Sequence, residues 1–224
     1  MRGAAHPARL RFAVLEAVRR HALWSPGQRV AVAVSGGRDS VALLDLLLAT
    51  RGAHGGALEV VTVDHRSRSG SGDDAAFVWG LARSLGLPVS RFDLPPGPRT
   101  EAAWREARYR ALESVGADVI ALAHHADDLA ETVLMQLVRG VGPGAFRPMA
   151  WRRGRRVRPL LGVSRSAIAA YAASRRLTWR EDPTNADPRY LRARIRAEVM
   201  PLLEALRPGA AAGIARAARR EDDR

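Results

Sequence analysis

Cysteine is absent from this 224-residue chain, and its absence excludes disulfides, thiolate metal sites, iron–sulfur clusters and persulfide relays. Lysine is absent too, so all 36 side chains counted as Lys plus Arg are arginine. A Walker phosphate loop needs a lysine before its Ser/Thr and is therefore excluded. The glycine turn at residues 35–40 lacks the Gly-x-Gly-x-x-Gly spacing, which disfavours a dinucleotide fingerprint. No apolar run reaches the length of a membrane span. Residues 1–20 alternate Arg with Ala and Leu, an amphipathic pattern rather than the continuous apolar stretch of a secretory signal. A cytoplasmic location without a membrane partner is the expectation. The length suffices for one good core with a small appendage.

Charge is present in excess and unevenly placed. The formal net charge is +13. Residues 1–146 hold 17 Arg against 15 acidic residues, whereas residues 147–224 hold 19 Arg against 8. A genome-wide preference for Arg would not segregate charge in this way. A near-neutral body at 1–146 followed by a basic stretch at 147–224 points to a polyanionic substrate; the plain alternative is a solvated Arg-rich surface.

The rest is organised around residues 30–44. Val30-Ala31-Val32-Ala33-Val34 reads as a strand buried on both faces, stopped at Ser35-Gly36-Gly37. A helical pattern (Val41, Leu43, Leu44, Leu47, Leu48) follows at once, with Asp39 or Ser40 available as its cap. A glycine turn at a helix start gathers backbone N–H groups without a Cβ in the way, a ready anion site. Further strands are expected at 58–63, 88–94 and 118–123, alternating with helices at 7–23, 73–85, 100–115 and 127–138. That alternation predicts an α/β fold, a parallel sheet with helices on both faces. Asp64-His65 and His124-His125 follow strands, as the glycine turn does, so the three should converge at the strand carboxyl ends. Beyond Gly144 the expectation is a basic hairpin at 151–158, a helix from a Ser164 cap to about 176, a turn at 183–188, and a final helix from Tyr190 that Pro201 kinks or divides. Asp128 and Glu131 lie three apart on one helix face, a possible socket for an ammonium group; acids in a first helical turn, stabilised by the macrodipole, are the plain alternative.

Ser35-Gly36-Gly37-Arg38-Asp39-Ser40 resembles the SGGxDS loop of the PP-loop ATP pyrophosphatases. His124-His125-x-Asp127-Asp128-x-x-Glu131-Thr132, continuing to Arg139-Gly140, resembles the second signature of the tRNA(Ile)-lysidine synthetases. So do Glu101-Ala102-Ala103 with Arg105-Glu106-Ala107-Arg108-Tyr109, Arg158-Pro159-Leu160-Leu161, Trp179-x-Glu181-Asp182-Pro183-Thr184-Asn185 and Tyr190-x-Arg192-x-Arg194-Ile195-Arg196, in that family's order. The resemblance covers roughly residues 29–201. It implies an adenine nucleotide alpha hydrolase-like fold with a small basic, mostly helical C-terminal extension. It further implies ATP as substrate, held by Ser35, Gly36, Gly37, Arg38, Asp39, Ser40, His65 and His124, with magnesium on Asp39. Free L-lysine would be gripped by Asp128 and Glu131, and the catalytic set would be Asp39, Asp128 and Glu131. The wobble cytidine of a CAU-anticodon isoleucine tRNA would be the acceptor, contacted by Arg105, Arg108, Arg152, Arg153, Arg155, Arg156, Arg192, Arg194 and Arg196. Trp151 and Trp179 are candidates for base stacking, although core positions are the commoner fate of such residues. The chain departs from the family in Ala193, where Asn is usual, and it stops before the C-terminal domains that many relatives carry. A homodimer is compatible with the reading. The rivals are another cysteine-independent PP-loop synthetase adenylating a small acid, a serine hydrolase using Ser35 at a nucleophile elbow, and a non-catalytic RNA-binding module.

Overall fold

The computed structural model describes residues 7–64, 71–94, 101–142, 149–181 and 187–219, without the side chains of 71, 101, 102, 104 and 105. His65, the proline stretch 95–98, the turn residues 183–186 and the tail 221–224 lie outside the described residues, as does the side chain of Arg105.

Five strands run parallel and one antiparallel in a single sheet of order β3-β2-β1-β4-β6-β5. These are β1 (Arg29–Ala33), β2 (Ala57–Asp64), β3 (Val89–Asp93), β4 (Val119–Ala121), β5 (Arg152–Arg153) and β6 (Arg156–Val157). Successive strand residues point to opposite faces, and the core divides accordingly. Val30, Val32, Val60, Val119 and Ala121 face α1 (Pro7–Arg20), α2 (Arg38–His54), α3 (Ser71–Ser84) and α6 (Arg165–Ser174). Ala31, Val61 and Ile120 face the other way, onto Leu112 and its neighbours at the end of α4 (Glu101–Glu113). Helices therefore cover both faces, as the strand–helix alternation predicts.

The basic hairpin forms with Gly154 at its turn (φ 60°). It is joined to the sheet: β6 pairs in parallel with β4, Ile120 opposite Arg156 and Ala121 opposite Val157. The helices beyond the hairpin pack back onto the same body. Tyr171 of α6 donates its hydroxyl to Asp45 of α2 at 2.5 Å, and Arg175 pairs with the same carboxylate at 3.0 Å. Burial and the Asp45 carboxylate push the Tyr171 phenol up to about 12. The small residues Ala215 and Ala218 let α9 (Ala210–Arg219) close on Leu129 and Val133 of α5 (Ala126–Val138).

The final helix is not continuous. A short α7 (Leu191–Arg194) passes into a π-helical turn at Ile195–Val199 and then α8 (Met200–Leu206). Pro201 has no N–H to offer Ala197, and the register widens just before it, with Met200 N–H bonding Ile195 O instead.

Candidate active site

β1 stands between β2 and β4, so the chain leaves its carboxyl end in one direction and reaches β4 from the other. Such a reversal opens a crevice at the strand ends, and the glycine turn after β1 and the His-His pair after β4 both border it. Gly36 takes φ +88°, open to glycine at little cost. The expected side-chain cap for α2 does not form. Gly37 is the N-cap, with no side-chain cap bond. Ser40 turns its hydroxyl back into the loop, donating to Gly37 O at 2.8 Å and accepting from Ser35 N at 3.2 Å. Among the described residues, the N–H groups of Gly36, Arg38 and Asp39 have no acceptor. Three such donors at the start of a 17-residue helix form a cradle for an anion.

Asp39, not used as a cap, reaches across the crevice. Its Oδ2 lies 3.5 Å from His125 Nε2, and its Oδ1 accepts from Arg38 Nε at 3.1 Å. Burial raises its pKa, but the His125 hydrogen bond and charge, with Arg38, outweigh this and hold the carboxyl below its ordinary value. His125 is the N-cap of α5. Its Nδ1 accepts from Asp128 N at 3.3 Å, while Asp128 Oδ2 accepts from His125 N at 3.0 Å. With Nδ1 accepting, Nε2 is left as the ring's donor, facing Asp39. One imidazole thus joins the glycine turn to the acidic first turn of α5. The alternation of strands and helices places His125 at the crevice, but only the capping geometry reveals it as the bridge. His124 is half-buried beside it, at the end of β4.

An open two-carboxylate socket at Asp128 and Glu131 is not what the described side chains form. Glu131, 1% exposed, accepts from three guanidiniums. Arg165 Nη2 and Arg196 Nε reach Oε1, each at 2.8 Å. Arg192 Nε and Arg196 Nη2 reach Oε2 at 2.8 and 2.9 Å. Arg192 also donates to Asp128 Oδ1 at 2.7 Å. Burial raises the Glu131 pKa, yet Arg196 and Arg192 overcome it and bring the carboxyl to about 2. A carboxylate this buried requires cations, and they come from two distant elements. Arg192 and Arg196 are four apart and share a helix face, a spacing that could have flagged them. Arg165, at the first position of α6, gives no such signal. Its own N–H is held by Asp127 Oδ2 at 2.8 Å.

The arginines expected at RNA are divided in the same way. Arg192 and Arg196 face inward, and Arg194 pairs with Glu198 at 3.1 Å on the surface. Arg152 bonds Ala22 O at 2.8 Å. Arg155 bonds Glu113 O at 2.8 Å together with Ala117 O, closing the carbonyl end of α4. Arg156 lies 4.5 Å from the centroid of Tyr109, with Arg108 at 5.5 Å from the same ring. Arg153 is exposed. Trp151 stacks on His21 at 4.2 Å and Trp179 packs against the main core.

Ser35 Oγ meets Ser40 Oγ at 3.3 Å and Gly37 N at 3.4 Å. Among the described residues no histidine bonds it, so the hydrolase elbow lacks its base. No group of three or more His, Cys, Asp or Glu side chains among them is placed to hold a metal. Magnesium needs less, one or two carboxylates with the remainder from phosphate and water. Asp39, ionised and 32% exposed beside the cradle, fits that requirement. No helix among the described residues is long and apolar enough to cross a membrane.

Comparison with known proteins bears on the family and the fold. The profile of the PP-loop domain family matches residues 11–203. The tRNA(Ile)-lysidine synthase of Geobacter sulfurreducens is 44% identical over 92% of this chain and 47% of its own. That of Pseudomonas aeruginosa is 42% identical over 87% of this chain and 46% of its own. The chain thus spans about half the length of these curated relatives. Among solved structures, the U34-tRNA thiolase NcsA of Methanococcus maripaludis superimposes with a TM-score of 0.78 at 19% identity, covering 95% of this chain and 78% of that one; this likeness concerns the fold. Matched by that profile across most of its length, the chain belongs to the PP-loop domain family, with its sequence kin among the tRNA(Ile)-lysidine synthases.

Proposed function

We propose that this chain ligates lysine to an isoleucine tRNA, driven by cleavage of ATP to AMP and pyrophosphate. In the first step the C2 carbonyl oxygen of the wobble cytidine of a CAU anticodon attacks the α-phosphorus. An oxygen–phosphorus bond forms and the bond to pyrophosphate breaks. In the second, the ε-amine of lysine attacks C2, and the carbon–oxygen bond breaks to release AMP. The observation that carries this reading is the 3.5 Å approach of His125 to Asp39, which sets the anion cradle beside the α5 acids at one crevice.

The N–H groups of Gly36, Arg38 and Asp39 receive the charge that develops on the leaving pyrophosphate. Ser35 and Ser40 hold the loop's shape, and recognition of the nucleotide is assigned to His65 and His124 with them. Magnesium, when held by Asp39, supplies charge neutralisation on the phosphates. Lysine binds at the Asp128–Glu131 centre, its ammonium competing with Arg192 for Asp128. Its ε-amine, with an ordinary pKa of ~10.4, must shed a proton before attack. Glu131, bound by three guanidiniums and held at about 2, is unsuited to that, and the role is assigned to Asp128, the other carboxylate of the centre. RNA contact is assigned to Arg105, Arg108, Arg152, Arg153, Arg155, Arg156 and Arg194, and residues 147–224 bring the sequence's excess positive charge to the ATP-binding part at 1–146. The setting is cytoplasmic, and a homodimer is compatible with it.

The test is incubation with ATP, magnesium, labelled lysine and an isoleucine tRNA bearing a CAU anticodon. Label should enter the RNA with stoichiometric AMP, and only when all components are present. AMP formation that needs no RNA would favour a small-acid synthetase instead. Binding to tRNA should weaken steeply with salt, with log affinity falling linearly against log salt, because each neutralised phosphate releases counterions. A flat profile in a filter-binding titration would remove the role given to the basic segment.

A further inference from the structure

The two strand-end features that border the crevice are met by a third segment, and it touches the glycine turn itself. The helix α6 ends in a Schellman arrangement. Leu177 N bonds Ala172 O and Arg176 N bonds Ala173 O, each at 3.0 Å, and Arg176 takes φ +51°, uncommon for a residue with a side chain. That reversal sends residues 177–181 across the glycine turn, with Leu177 and Trp179 packed against the main core. At Arg180 the strap docks: its backbone N–H donates to Gly36 O at 2.9 Å. Its guanidinium Nε donates to Asp74 in the first turn of α3 at 3.1 Å.

Peptide geometry gives this contact a consequence. In a trans peptide the carbonyl and the next N–H point in opposite directions. Holding the Gly36 carbonyl on the strap therefore aims the Gly37 N–H away from it, toward Ser35 Oγ at 3.4 Å, inside the loop. Both flanking residues are glycine, so no Cβ resists rotation of this one peptide. Rotated, it would break the Gly37 N–H bond to Ser35 Oγ and swing a carbonyl oxygen in beside the cradle N–H groups of Gly36, Arg38 and Asp39, where it would repel a polyphosphate.

We propose that the backbone N–H of Arg180 is a positioning group that locks the Gly36–Gly37 peptide with its carbonyl turned out of the phosphate cradle. The proposal rests on ATP being the ligand of the loop. It separates the main chain of Arg180 from its side chain, since only the N–H performs this task.

Three variants test it, with magnesium-ATP binding measured by calorimetry in the absence of RNA and lysine. Arg180→Ala keeps the N–H and should bind ATP within about twofold of the natural chain. Arg180→Pro removes the N–H and should bind about tenfold more weakly, as expected for one lost hydrogen bond of ordinary strength. Since proline could also disturb the strap, the third variant replaces Arg180 by lactic acid, an ester that deletes the N–H from the alanine variant. It should match proline in ATP affinity, and its Gly37 amide should exchange with solvent faster than in Arg180→Ala. An ester variant that binds ATP as tightly as Arg180→Ala overturns the lock. The exchange measurement needs no nucleotide: unchanged Gly37 exchange overturns the lock on its own. Failure of the unaltered chain to bind ATP would instead count against the functional reading.

Discussion

Glu131→Gln should lower the stability of the fold by about 3–5 kcal/mol, the usual consequence of breaking a buried ion cluster from one side. Glutamine has nearly the same shape, so the loss reports charge rather than volume. One carbonyl oxygen would face three guanidiniums, and the new NH₂ would point donors at donors. Arg192 keeps Asp128 as a partner at 2.7 Å, which holds the loss below that of a wholly unpaired cluster. At this chain length the shift in Tm is about 6–20 °C. The pH dependence supplies an independent check. The Glu131 pKa lies at about 2 in the fold against an ordinary 4.5. The folded value is the lower one, so its stabilisation is fully present above pH 4.5 and disappears as pH falls toward 2. A difference of that size corresponds to about 3 kcal/mol, in keeping with the mutational figure. Urea titrations of both proteins at several pH values should converge on acidification. A loss under about 1 kcal/mol at neutral pH would mean that the three arginines do not depend on this carboxylate.

The framework was legible because apolar patterning is a local property that survives into the fold. Val30, Ala31 and Val32 are all fully buried, as a Val/Ala run between charged segments requires of a strand with helices on both sides. Ser164 caps α6 through Ala167 N, and the hairpin turns at Gly154. Less legible was what arginine does. Sequence shows where positive charge accumulates but not which way a long, flexible side chain turns. Arg155 and Arg152 lie in the most basic stretch of the chain, yet they bond backbone carbonyls of α4 and of the segment after α1. Arg192 and Arg196 face a buried acid. In each case a group contributed by a distant segment decides, the orphan carbonyls at a helix end or a carboxylate on α5. The same holds for the hairpin's attachment: the turn at Gly154 was readable, but nothing in two residues of β6 announces their parallel pairing with β4. At the phosphate loop the misread detail was the cap. Ser40 and Asp39 are equally good cap residues by type, and neither serves, because Ser40 has the Gly37 carbonyl within reach and Asp39 has His125.

That last pairing gives the other large expectation. Asp39→Ala should reduce ATP-dependent AMP release by about 10²–10³, the scale on which removal of a preorganised electrostatic group acts. Stability should change little, because the carboxylate is 32% exposed and its partner Arg38 is 30% exposed. The side chain has two separable properties. It is an anion beside the cradle, available to a phosphate-bound cation, and it is the acceptor facing His125 Nε2 at 3.5 Å. Asp39→Asn divides them. Asparagine keeps an oxygen for the imidazole but carries no charge, so a role through charge leaves Asn as impaired as Ala, and added magnesium rescues neither. A role through orientation of His125, and thereby of Asp128 and its guanidiniums, would let Asn recover most of the activity and would raise the lysine requirement in Ala alone. The first outcome is expected. The loop has three other N–H donors to hold the polyphosphate, but among the described residues Asp39 is the carboxylate that the phosphate loop itself carries. AMP release by Asp39→Ala within threefold of the unaltered chain would remove Asp39 from the chemistry.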